Sequence, residues 1–265
     1  MKIYNEQHIG ETHVSNEGYE IVVVKGSDKP GHVVVNIDGK YDDTVEYSDL
    51  VDGKVKNPYH KSFYGKGYIG IGKHKVSIKC ERTMKYIAWS EMLQRCYSSD
   101  YHQEYPAYKD VTVCDEWLNF QVFGDWYDEQ YKKKWWQLNK DLLGRGKKIY
   151  SPDTCVFIPI ELNLLLSQDT ENKDHRLGIR RVRSGYRSRS YCSISGRYLD
   201  LGTYDTIEEA DLVYRNNRLG NMMFWLRYQH IGHRAYEGLK IIYEEYKKEK
   251  DDLEERIASE QSANN

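Results

Sequence analysis

Seven arginines (Arg176, Arg180, Arg181, Arg183, Arg187, Arg189 and Arg197) crowd one short stretch of this chain, and no aspartate or glutamate lies among them. Tyr186 and Tyr191 are interleaved with them. A guanidinium stays charged and presents a rigid fork of donors, so such a series suits phosphate binding and paired hydrogen bonds to guanine O6 and N7. The formal net charge of −2 argues against a polyanionic partner. That average conceals segregation: Glu244, Glu245, Glu249, Asp251, Asp252, Glu254 and Glu255 load the far end with acid. Local charge decides where a polyanion lands. The plainer reading is a solvated basic face, or arginines paired with that acidic end. The lack of nearby acids and the use of arginine rather than lysine favour nucleic acid.

Positioning these side chains takes a sheet. Leu177–Arg183, Tyr186–Ile194 and Arg197–Tyr204 each read as a short strand, with Ser184-Gly185 and Ser195-Gly196 supplying the turns. Alternation along the middle strand puts Arg187, Arg189, Tyr191 and Ser193 on one face and Ser188, Ser190, Cys192 and Ile194 on the other. Leu199 and Leu201 of the third strand are expected to join the second, buried face. Thr206 followed by Glu209 forms a capping box, so a helix begins there and brings Ala210, Val213 and Tyr214 onto the sheet.

The remaining sequence frames this block. At 265 residues the chain is long enough for two or three small domains. Tyrosine outnumbers phenylalanine 24 to 5, which suits thin domains and binding surfaces, because a tyrosine can pack one face and keep its hydroxyl wet. Residues 1–80 read as a β-rich domain: Tyr19–Val24 and His32–Ile37 are β-branched runs separated by Lys29-Pro30-Gly31. Residues 81–170 form the centre. Tyr86, Trp89, Met92 or Leu93, and Cys96 recur at helical spacing, a second helix is expected from Asp115, and Tyr150–Ile160 reads as a strand. A polar linker, Ser167–Asp174, leads into the arginine block at 175–220. From Asn221 to 265 the chain reads as helix. Its stripe of Ile231, Ala235, Leu239, Ile242, Tyr246, Leu253 and Ile257 is either a homodimer seam or a face that packs on the body.

Other chemistries find little footing. The five cysteines are odd in number and form no Cys-x-x-Cys pair, so they read as reduced thiols of a cytoplasmic protein. No signal-peptide pattern or run of about 18 apolar residues is visible. His230 and His233 lie three apart on an expected helix but lack a third metal ligand nearby. The Gly65-Lys66-Gly67 segment lacks the spacing of a nucleotide-binding loop. His60 and His74, which flank it, are placed to reach phosphate or substrate.

Leu177-Gly178-Ile179-Arg180, Gly185-Tyr186-Arg187-Ser188-Arg189 and the run Tyr198–Tyr214, with its Leu201-Gly202-Thr203-Tyr204-Asp205-Thr206-Ile207-Glu208-Glu209-Ala210 core, resemble an Apetala-type (ethylene-response-factor-like) DNA-binding domain. The resemblance covers residues 176–220. It implies three strands and one helix in this order, with the sheet reading the major groove, and names Arg180, Arg181, Arg183, Tyr186, Arg187, Arg189, Tyr191 and Arg197 as DNA-binding candidates. Tyr186 stands where the family often has tryptophan.

The centre resembles the HNH (His-Me finger) nucleases of phage and mobile elements, as in homing endonucleases. Tyr86–Tyr97, Val113–Trp117, Leu138–Asp141 and Tyr150–Pro159 carry that likeness. The Asn57-Pro58-Tyr59 and Gly67–Gly70 segments resemble ones that accompany this block in phage proteins. The family's finger is a ββα unit with a histidine that deprotonates water and ligands for one divalent metal. Here Asn139-Lys140 stands where an Asp-His pair is expected, followed by Asp141, with Asn163 at the downstream asparagine position. Lysine, with an ordinary pKa of about 10.4, is a poor base at neutral pH. No histidine between His102 and His175 replaces it.

These readings describe a multidomain α+β chain: a β-rich N-terminal domain, a degenerate ββα centre, a sheet-plus-helix DNA reader and a helical tail. The expectation is a phage- or prophage-type protein that binds double-stranded DNA in a bacterial host cytoplasm, with an inactive nuclease-like centre and no cofactor. The alternative is an HNH-type endonuclease using Mg²⁺, and the second alternative a phage protein that binds a host factor.

Overall fold

β-Branched runs build the first sheet. In this computed structural model, which describes residues 2–167 and 178–263, β1 (Thr12–Val14), β2 (Glu20–Gly26), β3 (His32–Ile37) and β4 (Tyr41–Glu46) pair antiparallel in sequence order. Alternation turns Ile21, Val23, Val33, Val35 and Ile37 onto one side, where Leu50 of the short helix α1 (Tyr47–Val51) and Val55 complete a core. The Tyr19 hydroxyl donates to the Val55 carbonyl (2.5 Å) and accepts from the Asn57 amide (2.7 Å), fastening the following segment to the sheet. This sheet belongs to the first of two compact units, Met1–Gly72; the second is Lys73–Asn265.

Glu11 gathers three partners at the start of β1. Its carboxylate meets His8 Nδ1 at 2.8 Å, the Tyr47 hydroxyl at 2.8 Å and His13 Nε2 at 3.3 Å. These hydrogen bonds, His8's first, hold its pKa down to about 2. A depressed carboxyl pKa stabilises the fold fully above the unfolded value and loses that effect as pH falls through the folded one.

The second unit opens with the hairpin of β5 (Ser77–Ile78) and β6 (Glu81–Arg82). Thr83 caps α2 (Met84–Tyr97), accepting from the Tyr86 amide, and the helix buries Tyr86, Trp89, Met92, Leu93 and Cys96, the residues whose spacing predicts it. After α3 (Ser99–Glu104) and β7 (Thr112–Val113) the chain departs from expectation. Asp115–Leu118 is a 3-10 turn, and the helix α4 (Phe120–Glu129) starts later, capped by Asn119, which accepts from the Gln121 amide at 2.9 Å. The turn exists because Trp117 is driven inward to 1% exposure while its carbonyl accepts from Trp89 Nε1 (2.7 Å).

β8 (Gln137–Asn139) and α5 (Asp141–Gly144) follow. The expected single strand at Tyr150–Ile160 is two: β9 (Ile149–Tyr150), parallel to β7, and β10 (Val156–Ile158), antiparallel to β8. Thr154 breaks the run, its hydroxyl donating to the Ile149 carbonyl (2.7 Å) and accepting from the Ser151 amide (3.1 Å). α6 (Ile160–Leu166) completes the β8–β10–α6 element.

β11 (Ile179–Val182), β12 (Gly185–Cys192) and β13 (Arg197–Tyr204) form a three-stranded antiparallel sheet in sequence order. Arg176, Leu177 and the linker beyond Ser167 lie outside the described residues. The Thr206–Glu209 capping box starts α7 (Ile207–Tyr228), which runs unbroken past residues 220 and 221. Gly232 leads into α8 (His233–Ala263), so His230 and His233 do not share a helix as expected: His230 sits before the turn, against Tyr131. One core joins Leu142, Ile158 and Leu162 to Met222 and Trp225 of α7 and Leu239 of α8. Ala235, Leu239 and Leu253 of the tail stripe are buried within the chain itself. No helix among the described residues is long and apolar enough to cross a membrane.

As a test of the Glu11 cluster, amide protection in β1 and β2 of the full chain is expected to fall between about pH 4.5 and 2. In Glu11→Gln the dependence should flatten over that window. Equal slopes in the two proteins would show that the cluster does not act on stability.

Candidate nucleic-acid interface

Cross-strand partners in an antiparallel sheet share a face. The register therefore assigns the arginines: Arg180 opposes Arg187, Arg187 opposes Thr203, Arg189 opposes Asp200, and Tyr191 opposes Tyr198. These residues make the outer face, and Arg180, Arg187 and Arg189 are exposed on it. The inner face carries Ile179, Ser188, Ser190 and Cys192, all buried. Small serines at its middle let α7 lie close, with Ala210 and Tyr214 fully covered. Gly178 is part of the same fit. Its φ is +69°, and a Cβ there would stand 2.1 Å from the Tyr214 ring and 2.5 Å from the Arg189 carbonyl.

The other candidates are dispersed. Arg181 opposes Tyr186, and Tyr186 opposes Tyr204, in the register of the inner face; Arg197, opposite Cys192, shares that register. Arg183 occupies the turn between β11 and β12. Tyr191 is half-buried against the core that contains Leu162 and Leu165, and burial raises its phenol pKa.

Three expectations for the sheet are corrected. Ser193 does not share the outer face: β12 ends at Cys192, and Ser193 turns inward, its amide donating to Asn221 Oδ1 (2.8 Å) and its hydroxyl accepting from Trp225 Nε1 (2.8 Å). Ile194, past the strand end, is 54% exposed. A bulge between Ser188 and Arg189 disturbs the register with β13, and Leu199, at 37% exposure, reaches only the rim of the buried side.

Electrostatics depart from the expectation in one place. Arg187 pairs with Asp200, its Nε donating at 3.0 Å and its Nη2 closer still, and this guanidinium holds the Asp200 carboxyl below its ordinary pKa. The acidic helix α8 does not neutralise the sheet: among the described residues its Glu245 pairs with Arg145 and its Glu249 with Arg215. Asp200 is the outer face's one described acid, so two arginines remain without an ion pair among the described residues.

The four positions expected at a nuclease centre do come together. Asn139 Nδ2 donates to Asn163 Oδ1 (2.8 Å), and Asn163 Nδ2 donates to Gln137 Oε1 (2.7 Å), tying β8 to α6. Asn139 Oδ1 accepts from the amides of Asp141 (2.9 Å) and Leu142 (2.8 Å), capping α5. Lys140 pairs with Asp141 at 2.5 Å, and its ammonium lies 5.9 Å from the Tyr108 ring centre. Among the described residues no group of three histidine, cysteine, aspartate or glutamate side chains could hold a metal ion.

His74 is not the phosphate contact its sequence setting suggests. Its side chain is 3% exposed, with Nε2 3.0 Å from Asp125 and Nδ1 accepting from Lys85 (3.0 Å), while its backbone exchanges hydrogen bonds with the Gln121 side chain. Gly124 leaves the space for the ring. The thiols of Cys96 and Cys155 are pushed up to about 12 by burial, which makes them poor nucleophiles.

Comparison with protein-family models, with curated proteins and with solved structures returned no match for this chain. The geometry of the sheet and of the β8–β10–α6 element therefore carries the functional argument.

Asn139→Ala removes a buried amide that serves β8, α5 and α6 together. It is expected to destabilise the chain by about 1–3 kcal/mol in chemical denaturation, the cost of leaving buried partners unpaired. An unchanged midpoint would show that the asparagine pair is dispensable to the fold.

Proposed function

We propose that this chain binds double-stranded DNA, with a sequence preference, through the outer face of β11, β12 and β13, and that its ββα centre is a noncatalytic, HNH-like element. The observation that carries this reading is the direct opposition of Arg180 and Arg187 on an exposed face, with Arg189 two residues further along β12. Like charges placed opposite one another destabilise a sheet. A polyanion offsets that cost on binding, and a twisted ribbon fits the roughly 12 Å major groove, where arginine forks reach guanine O6 and N7.

The order of three antiparallel strands and one capped helix supports the Apetala-type resemblance. The pairing of Asn139 with Asn163 across a ββα unit supports the HNH-like one. The chemistry of the centre favours a positioning role. Lys140, where the resemblance expects the base, is an ammonium engaged by Asp141, and Asn139, at the position before it, is committed to Asn163 and to α5. Lys140 neutralises Asp141, and its cation is suited to a phosphate of the bound duplex. The phage or prophage setting belongs to the same reading.

Arg187→Ala and Arg189→Ala are each expected to weaken binding to a preferred duplex by about 1–3 kcal/mol if they contact bases, measured by fluorescence anisotropy across a salt series. Asp200→Asn should act in the opposite sense, tightening binding, because it frees Arg187 and removes a negative charge from the face. Unchanged affinity and unchanged salt dependence in both arginine variants, with melting temperatures intact, would refute the sheet as the reader.

A further inference from the structure

The helix α2 has a second face that the core does not use. Ile87, Ala88, Glu91, Gln94 and Arg95 follow one another at helical spacing along a cleft of about 560 Å³. Its other walls come from Tyr101, Tyr108, Tyr127, Trp135, Trp136 and Phe157. The volume lies within the roughly 300–1,000 Å³ of sites that enclose a small ligand, and far below what a duplex needs. Leu138 of β8 also lines it, so it adjoins the ββα element.

Three features give the cleft a chemistry. Trp135 stands at it 62% exposed with φ +71°, a left-handed conformation that is an outlier for a bulky side chain. Such strain marks positions where placement of the side chain matters more than local stability. Next, the polar groups on α2 offer both signs: the Glu91 carboxylate accepts, while Arg95 spends Nε on the Glu91 carbonyl (3.2 Å) and Nη1 on the Tyr150 hydroxyl (3.4 Å), leaving Nη2 3.8 Å from Glu91 Oε2. Finally, Lys133 and Lys134 are exposed beside Trp135 with no ion pair among the described residues, and Lys134 Nζ lies 4.8 Å from the indole centre.

Flat aromatic walls, an edge of mixed donors and acceptors, and cations outside the rim match one ligand chemistry: a nucleobase bearing a phosphate. We infer that this cleft receives a single unpaired nucleotide, its base stacked on Trp135, its edge toward Glu91 and Arg95, and its phosphate toward Lys133 and Lys134. The inference rests on the reading of the chain as a DNA-binding protein and adds a second site to it. The nucleotide has two sources, a free mononucleotide or a base extruded from a bound strand. Stacking of bases on aromatic side chains is tolerant of sequence, so the site would add affinity without adding sequence preference.

The test uses the full chain and the fluorescence of 2-aminopurine, which stacking quenches. The probes are 2-aminopurine deoxynucleoside 5′-monophosphate and a duplex carrying one unpaired 2-aminopurine. Saturable quenching of the mononucleotide assigns the free source, and quenching confined to the duplex assigns the extruded base; both support the site. Trp135→Ala is expected to reduce affinity or quenching at least ten-fold, and Glu91→Ala, on an exposed position, to weaken it without disturbing the fold. Arg189→Ala should leave mononucleotide quenching unchanged, which separates failure of this site from failure of the sheet. No quenching of either probe overturns the inference. So does quenching that survives both cleft variants, or equal competition by inorganic pyrophosphate, which would reduce the site to its lysines.

Discussion

Arg218 holds the second unit together from inside. At 8% exposure its guanidinium donates to the Leu165 carbonyl at the end of α6 (2.5 Å) and to the Tyr214 hydroxyl one turn away on α7 (3.1 Å), with the Tyr246 ring of α8 5.7 Å from its centre. A cation at a helix C-terminus is favoured by the helix dipole and by the unsatisfied carbonyls there. The position of α7 follows, and with it the sheet. Ser188 and Ser190 pack beneath its first half, and Asn221 and Trp225 on its second half bind the Ser193 end of β12. A single helix thus sets the arginine face while sharing a core with the ββα element through Met222 and Trp225.

Charge in this protein is organised by distance, not by total. Among the described residues the acids of α8 that pair with lysine or arginine use Arg145, Arg215 or Lys250 of their own helix. The outer face keeps three arginines against one aspartate. Asp200 does more than neutralise: it fixes the Arg187 guanidinium by two contacts, a geometry that orders a long side chain. On the proposed reading the same pair would compete with a phosphate or a base for the Arg187 guanidinium.

Much of this was legible in the residues. β-Branched runs mark β2 and β3, the spacing of Trp89, Leu93 and Cys96 marks α2, and Thr206 with Glu209 marks the start of α7, because each is a local signal with a local cause. What escaped was tertiary. Asp115 is a good cap by itself, but burying Trp117 beneath α2 costs the helix its first turn and hands the cap to Asn119. Alternation predicts an outward Ser193, and only Asn221 and Trp225, many residues away, turn it in. For the site, the register gives Arg180, Arg187 and Arg189 a common face, which composition suggested; the Arg187–Asp200 pair depends on a bulge that no sequence pattern announced. The left-handed Trp135 is likewise invisible in sequence, since nothing in Lys134-Trp135-Trp136 demands a positive φ.

The centre joins these two themes. In the β8–β10–α6 element Asn139 is a structural amide, and the ion pair of Lys140 and Asp141 lies beside it. The proposed function is that of a chain that holds duplex DNA without cutting it. Incubating supercoiled plasmid with the protein and Mg²⁺, then running native gels with and without protein removal, tests this most directly. The account predicts a retarded plasmid that returns as intact supercoil once the protein is removed. A plasmid that is never retarded, or nicked and linear products that disappear in Asp141→Ala, would contradict it.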